Sequence, residues 1–338
     1  MRAEDIQRHW YDGTPPPLLL RLAAALYRGA AAMDRAWHRR RPRRPLPVPV
    51  VVVGNISVGG TGKTPLTIAI VQQLRQRGWQ PGVVSRGHGG RVTEPTLLDA
   101  HADPSATGDE PALIREHGIP VAVGRDRTAA ARLLLSSDLG VDVVVADDGL
   151  QHHALARDIE ICVIDGVRRF GNGWLLPAGP LRESPARLAT VDFRVVNGGQ
   201  ADSGEIPMAL AGDSAVNLLA SDRCVALEEF AGQRVHAVAG IGNPQRFFDA
   251  LRGRGIEVIE HPFPDHHAYL AGDFAFDDGI PVLMTDKDAV KCMAFAQPNW
   301  WRVPVTAELP ASFFDQLDRQ LRSAKKNHEA SVSPTWSR

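Results

Sequence analysis

The stretch Gly54-Asn55-Ile56-Ser57-Val58-Gly59-Gly60-Thr61-Gly62-Lys63-Thr64 sets small residues directly ahead of a Lys-Thr pair. Small residues let backbone N–H groups curl around phosphate oxygens, so Gly59, Gly60, Thr61 and Gly62 form a candidate cradle. Lys63 can reach the β- and γ-phosphates of a nucleotide, and the Thr64 hydroxyl can sit on Mg²⁺. The strict phosphate-loop spacing asks for Gly where this chain has Ser57; Gly59 and Gly60 supply the flexibility instead. A second set of candidates is carboxylic. Asp147-Asp148 closes the mostly apolar run 141–146, and a strand-terminal Asp can hold Mg²⁺ directly or through water. The plainer alternative is a solvated turn. His152-His153 follows with no Cys or third His at ligand spacing, so hydrogen bonding suits it better than a transition metal.

Polar clusters at Ser85-Arg86-Gly87-His88, Gly108-Asp109-Glu110-Pro111, Gly124-Arg125-Asp126-Arg127 and residues 176–183 complete the set. Each alone reads as an ordinary loop. Beside a phosphate loop they supply what phosphoryl transfer needs: a carboxylate near an acceptor hydroxyl, and cations around the moving charge.

The elements that must position these groups are legible around them. Residues 48–53 form a β-branched run that reads as a strand buried on both faces. A helix over 65–77 follows the loop, with Pro65 in its first turn and Gly78 at its end. Further strand-like runs lie at 81–85, 119–123, 141–146, 159–164 and 191–196, with helical stretches between several of them. Strands alternating with helices predict an α/β class, a P-loop NTPase-like doubly wound parallel sheet. Ligands bind such sheets at the ends where these polar clusters fall. From about residue 201 the pattern repeats on a smaller scale, with strands at 235–239, 256–260 and 280–285 and a helix at 243–252. The expected organisation is an N-terminal segment 1–44, a phosphate-loop domain 45–200, a smaller α/β lobe 201–324 and a flexible polar tail 325–338.

The N-terminal segment is not a secretory signal, since Glu4, Asp5 and Asp12 precede any apolar run and no cleavage site follows. Residues 18–37 predict an amphipathic helix. Leu19, Leu22, Leu26, Met33 and Trp37 share one side, and Arg21, Arg28, Arg35 and Arg39 share the other. Arg35, Arg39, Arg40, Arg41, Arg43 and Arg44 then crowd into ten residues without an acid. Such a helix can lie on an anionic membrane surface, or pack on the neighbouring domain with its arginines solvated. Pro42, Pro45, Pro47 and Pro49 end it.

Length and composition bound the rest. The 338 residues, 44 % hydrophobic and 23 % charged, suit two globular domains and exclude a disordered chain. Three scattered cysteines exclude a disulfide framework and fit a reducing compartment. A net charge of −1 gives no sign of a nucleic-acid partner. That balance hides an uneven distribution, because the arginine cluster at 35–44 leaves the remainder acidic.

The loop 54–65, Ser85-Arg86-Gly87, Gly108-Asp109-Glu110-Pro111, Asp147-Asp148-Gly149-Leu150-Gln151-His152 and Leu176-Pro177-Ala178-Gly179-Pro180-Leu181-Arg182-Glu183 occur in this order. Phe263-Pro264-Asp265-His266-His267 and Thr285-Asp286-Lys287-Asp288-Ala289-Val290-Lys291 follow. Together these motifs resemble the tetraacyldisaccharide 4'-kinase family, the lipid A 4'-kinases of Gram-negative bacteria, over residues 15–310. Ser57 belongs to that family's form of the loop. The resemblance implies transfer of the γ-phosphoryl group of ATP, with Mg²⁺, to the 4'-hydroxyl of a tetraacylated glucosamine disaccharide 1-phosphate. It implies work at the cytoplasmic face of the inner membrane, two α/β lobes with the site between them, and a membrane-associated N-terminal helix. Carried onto matching positions, Asp109 is the base, His266 assists it, and Lys63 and Thr64 take the phosphates and Mg²⁺. Asp147, Asp148 and Glu183 form an acidic metal side. Arg127 and Arg182, with His152, face the phosphates or the lipid head group. Where many members have Tyr after Ser-Arg-Gly this chain has His88, so that contact is not carried over. A competing reading of the residues is a P-loop NTPase switch or metallochaperone acting through a protein partner. It accommodates the His pairs but has no use for Asp109 and the Arg-rich loops.

Overall fold

Short runs of β-branched residues, buried on both faces, build the larger sheet of the computed structural model, which describes residues 9–40, 45–100, 102–276 and 278–332. Its first strands are β1 (Val50–Gly54), β2 (Pro81–Ser85), β3 (Thr96–Leu97), β4 (Val121–Val123), β5 (Val143–Ala146), β6 (Ile159–Asp165), β7 (Phe193–Asn197) and β8 (Ile206–Ala211). The smaller sheet takes β9 (Ser214–Asn217), β10 (Cys224–Ala226), β11 (Arg234–Ala239), β12 (Glu257–Pro262), β13 (Val282–Thr285) and β14 (Trp300–Val303). The chain then returns to the larger sheet as β15 (Thr306–Glu308). The larger sheet runs β15-β8-β7-β6-β1-β5-β2-β4-β3 and the smaller β10-β9-β14-β13-β11-β12. Pairs from β8 to β4 across the larger sheet are parallel. Both of its outermost pairs are antiparallel.

The helices are α1 (Leu18–Arg40), α2 (Lys63–Gln76), α3 (Pro104–Thr107), α4 (Asp109–Glu116), α5 (Arg127–Leu135), α6 (Pro244–Arg252), α7 (Asp286–Cys292) and α8 (Ala311–Val332). Successive strand residues point to opposite faces, and the two resulting layers pack different helices. Val51 and Val53 meet Leu66 and Ile70 of α2, Leu113 of α4, and Phe313 and Leu317 of α8. Val50 and Val52 meet Ala130 and Leu134 of α5. This is the doubly wound architecture the alternation of elements predicts, with a second α/β lobe.

Two boundaries differ from the sequence reading. β8 pairs with β7, and β15 with β8, so residues 206–211 and 306–308 complete the larger sheet rather than the second lobe. The second lobe is therefore an insertion that begins at β9 and ends at β14. Its two connectors, residues 212–213 and 304–305, run side by side: a Cβ on Gly212 would lie 2.8 Å from the carbonyl oxygen of Pro304. The polar residues from 325 are not a flexible tail, because α8 continues to Val332. Lys325 reaches Asp142 at 3.1 Å, and His328 bonds the Leu46 carbonyl and Asp158, both at 2.9 Å. Residues 333–338 lie outside the described residues.

Helix α1 lies on the first lobe by its polar side. Tyr27 donates to the Arg182 carbonyl at 3.1 Å, Arg35 approaches Glu183 at 3.9 Å, and Arg21 stacks over Trp174. Leu19 is 79 % exposed, Leu26 77 % and Met33 75 %, with Leu18, Leu22 and Trp37 also exposed. An ordinary packed amphipathic helix would bury that stripe. Of the arginine cluster, Arg41, Arg43 and Arg44 lie outside the described residues.

Candidate active site

The phosphate loop joins β1 to α2. Gly62 takes φ 91°, a left-handed conformation that an L side chain resists, and a Cβ there would lie 2.5 Å from Asn197 Nδ2. That turn starts α2 at Lys63 and aims its first N–H groups into the loop, where an anion is favoured. Asn55 donates to Thr61 Oγ1 at 3.2 Å and Asn197 donates to the Thr61 carbonyl at 3.0 Å. The segment 175–183 is stitched to the same loop, with Val58 donating to the Pro180 carbonyl and Arg182 to the Ile56 carbonyl.

Asp147 and Asp148 follow β5. Thr67 Oγ1 of α2 donates to Asp147 Oδ1 at 3.0 Å, while Asp147 Oδ2 is buried and meets no donor. Burial, together with the charges of Glu110 and Asp148, pushes Asp147 well above the ordinary carboxylate range. Asp148 behaves oppositely. Burial raises it, but Lys63 at 3.7 Å and Arg182 at 3.1 Å outweigh that and hold it at about 2. Its backbone sits at φ 47°, in the left-handed region that non-glycine residues occupy under constraint. Arg127, from the first turn of α5, donates to the Asp148 carbonyl at 2.8 Å. Burial brings Arg127 down to about 10, still a full cation at neutral pH. His152 is held at about 4 by burial and by Arg127 and Arg157, so it is neutral, and its Nε2 is buried without a partner.

Glu183 stands apart from the paired aspartates. It accepts from Gln151 at 2.8 Å and faces Arg35 and Arg187, and its link to Asp148 runs through Gln151 and Arg182. The acidic trio expected on the metal side is thus not gathered, and among the described residues no three His, Cys, Asp or Glu side chains cluster as a metal site. The orphaned Asp147 oxygen, on a carboxylate held by Thr67 of α2 and within electrostatic reach of the loop's Lys63, nevertheless fits Mg²⁺, an ion that takes one or two protein oxygens and completes its shell with water and phosphate.

The second cluster forms across the cleft between the lobes. Gly108, at φ 95° and with its Cβ direction 2.5 Å from the His88 carbonyl, starts α4 so that Asp109 falls in the first turn. His266, in the segment after β12, donates from Nδ1 to Asp109 Oδ2 at 3.1 Å. Its own φ is 62°, a second non-glycine residue held in the left-handed region at this site. Burial raises Asp109, but the His266 bond and the ammonium groups of Lys291 and Lys287 outweigh it and hold the carboxyl below its ordinary range. Lys287 bridges Glu110 at 3.5 Å and Asp265 at 3.1 Å. His88 lies edge-on to His266, ring centroids 5.3 Å apart.

Sequence reasoning assigned no role to Lys287 and Lys291. Their signal was three- and four-residue spacing on a helix capped by Thr285, which places Lys291 over Asp288. It also missed Arg246 of α6, which bonds Asn197 Oδ1 at 2.9 Å and so reaches the phosphate loop from the second lobe. At the same place the backbones of Gly242 and Gly60 touch.

A phosphate loop on a parallel sheet, with an acidic strand end beside it and a carboxylate–imidazole pair that joins the first lobe to the second, defines a P-loop kinase of the two-lobed kind. The family model of tetraacyldisaccharide-1-P 4'-kinase matches residues 17–322. The tetraacyldisaccharide 4'-kinase of Stenotrophomonas maltophilia (strain R551-3) is 53 % identical over 332 residues, 94 % of this chain and 97 % of that protein. That of Xanthomonas euvesicatoria pv. vesicatoria (strain 85-10) is 53 % identical over 336 residues, 94 % and 96 % of the two chains. The crystal structure of Aquifex aeolicus LpxK in complex with ATP aligns with a TM-score of 0.73 at 25 % identity, over 89 % of this chain and 96 % of that one. The chain belongs to the tetraacyldisaccharide 4'-kinase family.

Proposed function

We propose that Asp109, oriented by His266, is the base that takes the proton of the sugar 4'-hydroxyl in this ATP-dependent tetraacyldisaccharide 4'-kinase. The observation that carries the reading is the 3.1 Å bond between Asp109 of one lobe and His266 of the other. A hydroxyl is a poor nucleophile, yet phosphoryl transfer is loose, so alignment and charge neutralisation supply most of the rate. A carboxylate kept ionised at neutral pH is then a sufficient proton acceptor. The loop amides of Gly59, Gly60, Thr61 and Gly62 hold phosphate oxygens, and Lys63 neutralises the β/γ side. Thr64 and Asp147 would hold Mg²⁺, with Asp148 close by, and the ion would neutralise charge on the transferring group. Arg127 and Arg182 face the phosphates or the lipid head group, and neutral His152 offers a hydrogen bond there. A nucleotide switch would leave the Asp109–His266 pair without a task.

The acceptor's acyl chains favour a bilayer, and the exposed stripe of α1 supports an anionic inner-membrane surface, on its cytoplasmic side, as the place of work. No helix among the described residues is long and apolar enough to cross a membrane. Contact by the stripe alone is sufficient for the reading.

The test is transfer of labelled phosphate from ATP to the disaccharide 1-phosphate in mixed micelles with Mg²⁺. Asp109→Asn is expected to lower kcat by about 10²–10⁴-fold, the usual share of general-base catalysis, with the KM for ATP little changed. A variant that keeps most of its turnover overturns the assignment.

A further inference from the structure

Lys291, like Lys287, stands between carboxylates of the two lobes, and of the two it is the one within ion-pair distance of Asp109. Its side chain is 8 % exposed, and Nζ lies 3.0 Å from Asp288 Oδ1 on its own helix and 3.6 Å from Asp109 Oδ2 across the cleft. The ring of Tyr269 covers it at 4.9 Å. No hydrogen bond of good geometry satisfies Nζ, so a buried cation is left aimed at the Asp109 side of the cleft. Asp288 is fully buried and immobilised. Its Oδ2 accepts from the Gly240 N–H at 2.8 Å and from Thr285 Oγ1 at 2.6 Å, leaving Oδ1 to the lysine. A lysine needed only to balance Asp288 would not have to reach the other lobe.

We propose that Lys291 is a positioning residue for catalysis: braced on Asp288, its ammonium keeps the Asp109 carboxylate ionised and pointed into the cleft, and does so only when the lobes are closed. The proposal rests on the reading of Asp109 as the base. The charged and titratable groups that face Asp109 are His266 from the segment after β12, Lys291 and Lys287 from α7, and Glu110 on α4 itself. Asp265 and His88 in turn flank His266. Of these, Lys291 is the cation nearest to Asp109, and it has a fixed buried anchor. An opposite charge at this distance lowers a carboxyl pKa by about 1–3 units. Its removal therefore raises the pH at which Asp109 ionises. Because the ionised form is the active one, the acid limb of the rate profile must move upward.

The experiment measures kcat and kcat/KM of the full-length enzyme in mixed micelles from about pH 3 to 7, the window that spans carboxylate titration, beside thermal unfolding. Lys291→Met and the double variant Lys291→Met/Asp288→Asn, which leaves no unpaired buried charge, are expected to shift the acid limb up by about one pH unit. Turnover on that limb falls roughly tenfold relative to wild type, and the KM for ATP stays near its original value. Lys291→Arg, which keeps the charge, is expected to retain the wild-type limb. An unmoved limb in both neutral variants, with only the unfolding temperature lowered, overturns the proposal and leaves Lys291 structural. An Arg variant that shifts as far as Met also overturns it. Asp109→Asn measured in parallel separates the two readings. If it abolishes the limb, the base stands and the Lys291 profiles decide; if it keeps both limb and turnover, the base reading fails and carries this proposal with it.

Discussion

Replacing Gly242 by Ala tests whether the second lobe must touch the phosphate loop for turnover. The new Cβ would lie 2.6 Å from Gly60 N, 3.4 Å from Gly60 Cα and 3.5 Å from Gly59 C. All three are backbone atoms, so no rotamer change relieves the clash. Restoring ordinary contact requires the two backbones to part by roughly 0.8 Å in an otherwise close-packed contact. Gly242 itself is not in the left-handed region, so Ala adds no conformational strain of its own. Either the lobes stay ajar or the loop amides shift from the positions that grip phosphate. A misplacement on the order of 1 Å costs about 10²-fold in rate. Thermal unfolding should change by less than about 0.5 kcal/mol, since the contact lies between lobes and not in a core. The assay is steady-state lipid phosphorylation over a range of ATP concentrations. Gly253→Ala serves as the control, at φ −59° and with 3.4 Å to the nearest atom. A Gly242→Ala enzyme with wild-type kcat would refute the reasoning.

Three other outcomes follow from the geometry. Thr67→Val removes the one hydroxyl donor to Asp147 Oδ1 at constant shape, costing about 1–3 kcal/mol locally, and should weaken Mg²⁺ activation several-fold in a metal titration. His152 has a folded pKa depressed from 6.5 to about 4, so the unfolded chain binds its proton first, and stability is lost as pH falls through that window. His152→Gln should flatten part of that slope in melting curves recorded from neutral pH downward; an unchanged slope counts against a neutral buried His152. Leu19→Gln with Leu26→Gln should lower partition onto anionic vesicles by about 10–100-fold, at roughly 1 kcal/mol or more for each immersed leucine. Its turnover in detergent should hold, and undiminished vesicle binding would remove α1 from the membrane.

The parts legible in the sequence are those whose partners are close in the chain. The phosphate loop could be read because strand, glycines, Lys63 and helix are contiguous, and the strands because parallel central strands are unbroken apolar runs. Asp109 and His266 meet over a separation of 157 residues, and only the family resemblance joined them. The lysines of α7 were invisible for the same reason, since spacing on a helix says which residues share a face and not what faces them. The C-terminal residues were misread from polarity alone. Lys325 and His328 are polar because they pair with Asp142 and Asp158, so a segment that looked solvated is a docked helix. For α1 the stripe was legible, but its orientation was not: the arginine and tyrosine side found partners at Glu183 and at the Arg182 carbonyl. Glu183, taken for part of the metal side, instead links that helix to the loop beside the phosphate site.

The paired connectors at 212–213 and 304–305 have a mechanical consequence. A body joined through two adjacent strands of chain cannot twist or slide freely; it swings about the line the connectors define, with a single degree of freedom. Gly242 against Gly60 and Lys291 against Asp109 both belong to the swinging body. They therefore engage and release on one coordinate. With Asp109 as the proposed base, parting of the lobes would loosen the phosphate loop and strip that carboxylate of its partners in one movement.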